Sequence, residues 1–178
     1  THIRNADGSP FRFRPYQRVP AADLFNPQVA SVALRQFSGA GKTYLFTTAY
    51  CYAVQQLKLQ VGKMFPAENL TADYFRKKLM PVIYSTPIVS GLPMTKDNEL
   101  FKSWENGATI TGVGANSGGR IRTLEIDICD ADEIDAIEQD KGDEGDKLGA
   151  FLWRSRGRKR QHHWISSYPS KRGHSKID

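Results

Sequence analysis

The 178-residue sequence predicts an α/β sandwich built around a mainly parallel sheet. Three observations carry that expectation. Short β-branched apolar runs alternate with stretches of helical period, the pattern of strand–helix–strand units. A glycine-rich Gly-Lys-Thr turn sits between the first such strand and the first such helix. Farther along, a strand-like run leads into a dense group of acids.

The elements follow in order. Residues 29–34 (VASVAL) form a β-branched run closed by polar and glycine residues, which predicts a buried strand. From Thr43, apolar residues Phe46, Ala49, Tyr50, Ala53, Val54 and Leu57 recur at helical spacing. Residues 59–65 predict a second strand, ended by Pro66. The pattern over 68–84 (Phe75, Leu79, Val82, Ile83) predicts a helix kinked at Pro81. Residues 99–104 and 108–113 flank Asn106-Gly107, a strong hairpin turn signal. A strand is expected over 122–129, a short helix over 133–139, another over 147–156, and a final strand over 161–166. Residues 1–10 are expected to be a loose segment ahead of one domain spanning 11–178, since no repeat or long linker interrupts it.

Composition excludes several classes. With 39% hydrophobic and 25% charged residues, the chain is neither a disordered tail nor a membrane protein. No apolar run approaches the ~18 residues of a spanning helix, and residues 1–10 lack the apolar stretch of a signal peptide. Two cysteines, Cys51 and Cys129, fit a reducing compartment better than a disulfide framework. The net charge of +6 is unevenly spread: residues 125–146 hold eleven acids and one base, leaving 24 bases and 8 acids elsewhere. Basic clusters at 4–18 and 154–160 suit a polyanion such as nucleic acid. The aromatic residues Trp104, Trp153 and Trp164 are expected in core packing, and His162 and His163 alternate on a strand and so do not share one metal site.

Residues 36–43 (QFSGAGKT) approximate the phosphate-loop pattern G-x-x-x-x-G-K-[ST] in its required strand–loop–helix setting. Glycines 39 and 41 let backbone N–H groups of Gln36, Ser38 and Ala40 and their neighbours curl around phosphate oxygens. Lys42 would bridge the terminal phosphates of ATP and Thr43 would ligate Mg²⁺. Gln36 replaces the first glycine of the pattern, and Arg35 precedes it. Such a loop needs a downstream carboxylate for the metal and a base for the attacking water. Asp132 and Glu133 supply that pair, with Asp130 an alternative metal ligand because Ile128 and Cys129 lead directly into it. A calcium loop is not expected, since the sixth position counted from Asp130 is Asp135 and not glycine. The loop and acidic strand end together refine the fold class to a P-loop NTPase three-layer sandwich of the RecA/ASCE-like kind.

The chain resembles the large terminase subunits of tailed bacteriophages, especially the lambda-like branch. The resemblance is carried by Pro15-Tyr16-Gln17, by residues 32–43, by 65–87, by 110–135, by 144–156 and by 165–177, six blocks in the family's order. It implies that Tyr16 and Gln17 contact the nucleotide base, that Arg35 fills the place of the family's basic loop residue, and that Ser167, in Ser167-Tyr168-Pro169, couples hydrolysis to movement. It further implies a motor ATPase that drives double-stranded DNA into a procapsid, partnered by a portal and a small terminase subunit in a homo-oligomeric ring. That motor would work in the host cell cytoplasm with no membrane, and would carry a nuclease domain C-terminal to this chain. Alternatives are a helicase-like translocase, a non-catalytic DNA-binding module with a degenerate nucleotide pocket, and a small-molecule kinase.

Overall fold

A computed structural model describes residues 3–137 and 146–168. Its centre is a seven-stranded sheet of order β1-β7-β6-β2-β5-β4-β3. The strands are β1 (Ser31–Arg35), β2 (Gln60–Phe65), β3 (Met94–Asn98), β4 (Phe101–Trp104), β5 (Thr109–Gly114), β6 (Ile128–Ala131) and β7 (His162–Ser167). The first five in spatial order pair in parallel, and β4 and β3 complete the sheet as an antiparallel meander. The hairpin expected around Asn106-Gly107 is the β4–β5 turn.

Among the described residues seven α-helices serve the sheet: α1 (Arg18–Asp23), α2 (Lys42–Tyr52), α3 (Glu68–Tyr74), α4 (Met80–Ser85), α5 (Pro87–Ser90), α6 (Gly118–Arg122) and α7 (Lys147–Leu152). Two of them run on as π-helical turns, α2 into Ala53–Leu57 and α3 into Phe75–Leu79. The latter turn directly precedes α4, whose first turn holds Pro81, a residue with no N–H to offer the ladder. Every residue of α2 from Leu45 to Cys51 is buried, as expected of a helix enclosed on all sides.

The period of two along each strand sorts side chains between two cores. Val61 and Phe65 of β2, Ile128 of β6 and Trp164 of β7 join α2, α3 and α4 on one face. Met64, Cys129, Ala131 and Ile165 face α6, α7 and Phe151 on the other. Trp164 is the centre of the first core, stacked on Phe46 and Tyr50 and edge-on to Phe25, with its indole N–H donated to the Leu24 carbonyl.

Four expectations need correction. The strand expected over 122–129 begins only near Ile128, and Arg122 ends α6. The alternation of residues 122–128 looks like a strand, yet ladder pairing starts at Asp127, whose N–H reaches Gln60 and whose carbonyl receives the His162 N–H. The helix expected over 133–139 is a single 3₁₀ turn, Ile134–Ala136, and positions 138–139 lie outside the described residues. Residues 3–10 lie at the surface but are tied to the domain, with a bridge between Arg4 and Pro10, the Arg4 N–H on Thr86 and the Ala6 N–H on Tyr44. Trp153 is 57% exposed beneath the Arg156 guanidinium, while Trp104 and Trp164 are buried as expected.

Candidate nucleotide site

The loop between β1 and α2 turns sharply at Gly39 (φ 80°) and Gly41 (φ 81°), a left-handed backbone that suits glycine. A Cβ on Gly41 would also lie 2.8 Å from Gln17 Nε2. The ammonium of Lys42, the first residue of α2, lies 2.8 Å from the Gln36 carbonyl and 3.2 Å from that of Phe37. The Tyr168 ring closes over it at 4.6 Å. Burial lowers the pKa of Lys42, and the charges of Asp132 and Glu133 pull it back up.

Because β7 lies between β1 and β6, the ends of three parallel strands converge on this loop. Asp132, immediately after β6, is nearly fully buried and collects four donors. Thr43 Oγ1 donates to its Oδ2 at 2.8 Å, and Lys63 Nζ approaches the same oxygen at 3.4 Å. The Ser166 hydroxyl and the Glu133 N–H, the latter at 3.0 Å, donate to Oδ1. Burial alone would raise the Asp132 pKa, but the Lys63 charge and the Ser166, Thr43 and Glu133 donors outweigh it and hold the carboxyl below its ordinary value. Glu133 adopts a left-handed backbone (φ 55°, ψ 39°), a strained conformation for a residue with a Cβ.

A cavity of about 220 Å³ lies over these groups, lined by Ser38, Gly39, Gly41, Lys42, Thr43, Tyr44, Lys78, Asp132, Glu133, Ser167 and Tyr168. A second cavity of about 410 Å³, bounded by Phe11, Arg12, Arg14, Gln17 and Tyr44, shares Gly41 and Tyr44 with it. Tyr16 donates its hydroxyl to the Ala40 carbonyl at 3.0 Å, and the Gln17 amide sits 3.4 Å from the carbonyls of Ala40 and Gly41. The phosphate loop is therefore buttressed from the N-terminal segment.

The remaining expected site residues divide. Ser167 lines the cavity, pairs in register with Arg35, and accepts the Asp135 N–H at 3.2 Å. Pro169 lies outside the described residues. Arg35 is exposed at the end of β1 and is not among the residues lining the cavity. Asp130 is held apart from the cavity: it is fully buried, takes the Tyr50 hydroxyl on one oxygen, and meets Lys63 Nζ at 2.9 Å on the other. Burial raises its carboxyl to about 6, against the pull of Lys63 and with the push of Asp132.

Two lysines escaped the sequence reading. Lys63 is wholly buried among Phe46, Phe65 and Tyr74. Its signal was a lone cation at the centre of an apolar strand, VGKMF, a place where an unpaired lysine is rarely tolerated. Lys78 reaches the cavity from the π-helical turn after α3, and its neighbours Arg76 and Lys77 both pair with Asp73. Among the described residues no helix is long and apolar enough to cross a membrane.

Comparison with known proteins agrees with this geometry. Residues 7–178 match the family described as "Phage terminase large subunit gpA, ATPase domain". The fold is similar to the large terminase of bacteriophage HK97, at 15% identity and a TM-score of 0.73 over 93% of this chain and 35% of that one. The large terminase ATPase domain of Thermus phage P74-26 is similar at 12% identity and a TM-score of 0.61, over 93% of this chain and 67% of its own length. The large terminase of a thermophilic bacteriophage, solved in complex with ADP, is similar at 12% identity and a TM-score of 0.53 over 83% of this chain and 34% of that one. No curated protein matches the chain. The chain thus spans about a third of the length of the HK97 terminase and of the ADP-bound one. By the match along nearly its whole length, with a glycine-rich Gly-Lys-Thr loop and an acidic strand end assembled in one seven-stranded fold, the chain belongs to the phage terminase large subunit family, as its ATPase domain.

Proposed function

We propose that this domain binds ATP with Mg²⁺ in the cavity between the loop and Asp132, hydrolyses it, and in the whole terminase drives double-stranded DNA into a procapsid. The observation that carries the reading is the contact of Thr43 with Asp132, at 2.8 Å, beside the Lys42 ammonium. A hydroxyl and an ionised carboxylate form the hard-oxygen donor set that suits Mg²⁺, so Thr43 and Asp132 would hold the ion. When bound, Mg²⁺ withdraws charge from the phosphate oxygens.

The chain's own groups have separate roles in this reading. The loop N–H groups between residues 36 and 43 and the N-terminus of α2 receive the phosphates. Lys42 exchanges its two carbonyl partners for phosphate oxygens, a stronger charge-assisted bond. Glu133, beside Asp132 on the cavity wall, orients the attacking water and takes its proton. Lys78 adds a second cation from the opposite wall. Gln17 borders the neighbouring cavity and Tyr16 braces the Ala40 carbonyl of the loop beside it, on the side where the base would lie. Ser167 links the cavity to β7 and thus couples hydrolysis to movement.

The ADP complex of the terminase from a thermophilic bacteriophage supports nucleotide binding by this fold. The basic surplus outside residues 125–146 supports a DNA-facing surface. Family membership supports a ring-shaped motor with a portal and small subunit as partners, working in the host cytoplasm. The decisive comparison is ATP turnover and nucleotide affinity for wild type and Lys42→Ala. Loss of most turnover in the variant is expected, and wild-type turnover no higher than that of Lys42→Ala would sink the enzyme reading.

A further inference from the structure

We propose that Lys63 is a positioning residue for Asp132, holding that carboxylate at the angle from which it engages the metal. The proposal rests on the reading of Asp132 as the carboxylate toward Mg²⁺. Lys63 lies on β2, separated from β1 and its loop by β7 and β6, and among its hydrogen-bond partners in the described residues only Asp132 lines the cavity.

The geometry makes Lys63 the hinge of a buried charge group. Its side chain is 0% exposed, with Nζ 2.9 Å from Asp130 Oδ1 and 3.4 Å from Asp132 Oδ2. The period of two along β2 aims it at the α2 side with Val61 and Phe65. Asp130 and Asp132, also two residues apart, emerge on that same side from the adjacent strand. Two carboxylates and one ammonium thus share a dry space walled by Phe46, Phe65 and Tyr74. Without the ammonium the carboxylates would repel, and a buried charge lacking its partner is strongly unfavourable.

The outer members of the group face α2. Tyr50 donates to the far oxygen of Asp130, and this anchors Asp130 in the core. Tyr74 and Thr47 share a hydrogen bond of 2.8 Å, and Thr47 in turn donates to the Thr43 carbonyl at 2.7 Å. Lys63 therefore draws Asp132 inward toward a fixed Asp130, while Thr43 approaches Asp132 Oδ2 from the cavity side at 2.8 Å. Partners of this outer kind orient a metal ligand, and losing one typically costs about 10- to 100-fold in metal affinity.

The test is the affinity of the whole protein for a fluorescent ADP analogue, with Mg²⁺ and with chelator, in wild type, Asp132→Asn, Lys63→Met and Lys63→Met/Asp130→Asn. The double variant removes one carboxylate together with the ammonium, so the buried group keeps its net charge of one carboxylate and Asp132 retains its Thr43, Ser166 and Glu133 donors; thermal unfolding checks that it is folded. In chelator, wild type and both Lys63 variants should bind alike, because the loop and Lys42 set that affinity. With Mg²⁺, wild type should gain and both Lys63 variants should lose about tenfold or more of that gain. A folded double variant with the full wild-type gain overturns the role of Lys63, as does an equal fall in affinity with and without Mg²⁺. A wild type whose affinity ignores Mg²⁺, or an Asp132→Asn variant that keeps the gain, instead overturns the reading of Asp132 and the proposal with it.

Discussion

Replacing Asp132 by Asn should destabilise the domain even when no nucleotide or metal is bound. The side chain receives four donors: Thr43 and Lys63 on one oxygen, Ser166 and the Glu133 N–H on the other. An amide of the same shape must turn its NH₂ toward one of these pairs, so two donors face a donor. Losing a hydrogen bond to a charged group costs about 1.5–3 kcal/mol, which puts the gross loss near 3–6 kcal/mol for two. Part returns, because Asn removes the repulsion with Asp130 and leaves Lys63 wholly to that partner, 2.9 Å away. The depressed pKa of Asp132 gives the sign: burial raises it, yet Lys63, Ser166, Thr43 and the Glu133 N–H together favour the ionised form over water. A net loss of about 1–3 kcal/mol follows, or very roughly 2–10 °C in Tm for a chain of this size. Urea unfolding in chelator at neutral pH, followed by circular dichroism, measures it. If Asp132→Asn is as stable as wild type or more so, the repulsion between the two carboxylates outweighs the donors and the reasoning is wrong.

Three further outcomes can be checked on the same protein. Trp164→Ala removes a fully buried indole stacked on Phe46 and Tyr50, and should cost about 3–5 kcal/mol in urea unfolding; a loss below about 1 kcal/mol would mean that the core collapses around the gap. Gly41→Ala puts a Cβ at φ 81°, 2.8 Å from Gln17 Nε2, so it should weaken nucleotide binding by about tenfold at a strain of about 1–2 kcal/mol; unchanged binding by titration would contradict it. Burial lowers the pKa of His163, the Leu152 backbone bond pulls it part of the way back up, and the neighbouring His162 lowers it a little further. The unfolded chain therefore takes up a proton first on acidification, and stability present above about pH 6.5 is lost as pH falls toward the folded pKa. His163→Gln should flatten part of that slope in Tm measured from pH 7.5 to 5.5, and an unchanged slope counts against the assignment.

How much was legible in the sequence depends on whether a feature is local. The loop at 36–43 could be read because its glycines, its Lys-Thr ending and its flanking strand and helix all lie within one stretch of chain. The strand at 60–65 and the Asn-Gly hairpin were equally local. The strand over 122–129 was misplaced because alternation alone does not say where ladder pairing begins. Trp153 was misassigned because a large aromatic at a helix end can face either way, and the Arg156 guanidinium covers it from outside. Lys63 was passed over because a strand pattern records polarity without recording who stands opposite.

The sequence by itself determined the class of fold, the phosphate loop and the presence of acids downstream, since each follows from backbone preference and residue spacing along a few consecutive positions. It left Asp130 and Asp132 as rivals, because residues two apart on a strand share one face and their spacing is symmetric. Only the tertiary structure separated them. The end of β6 at Ala131 leaves Asp130 enclosed between Tyr50 and Lys63 and puts Asp132 beside Thr43, and the insertion of β7 between β1 and β6 brings Ser166 to it. That difference is one of depth and of neighbours from distant parts of the chain, set by how the sheet is ordered and where its strands stop.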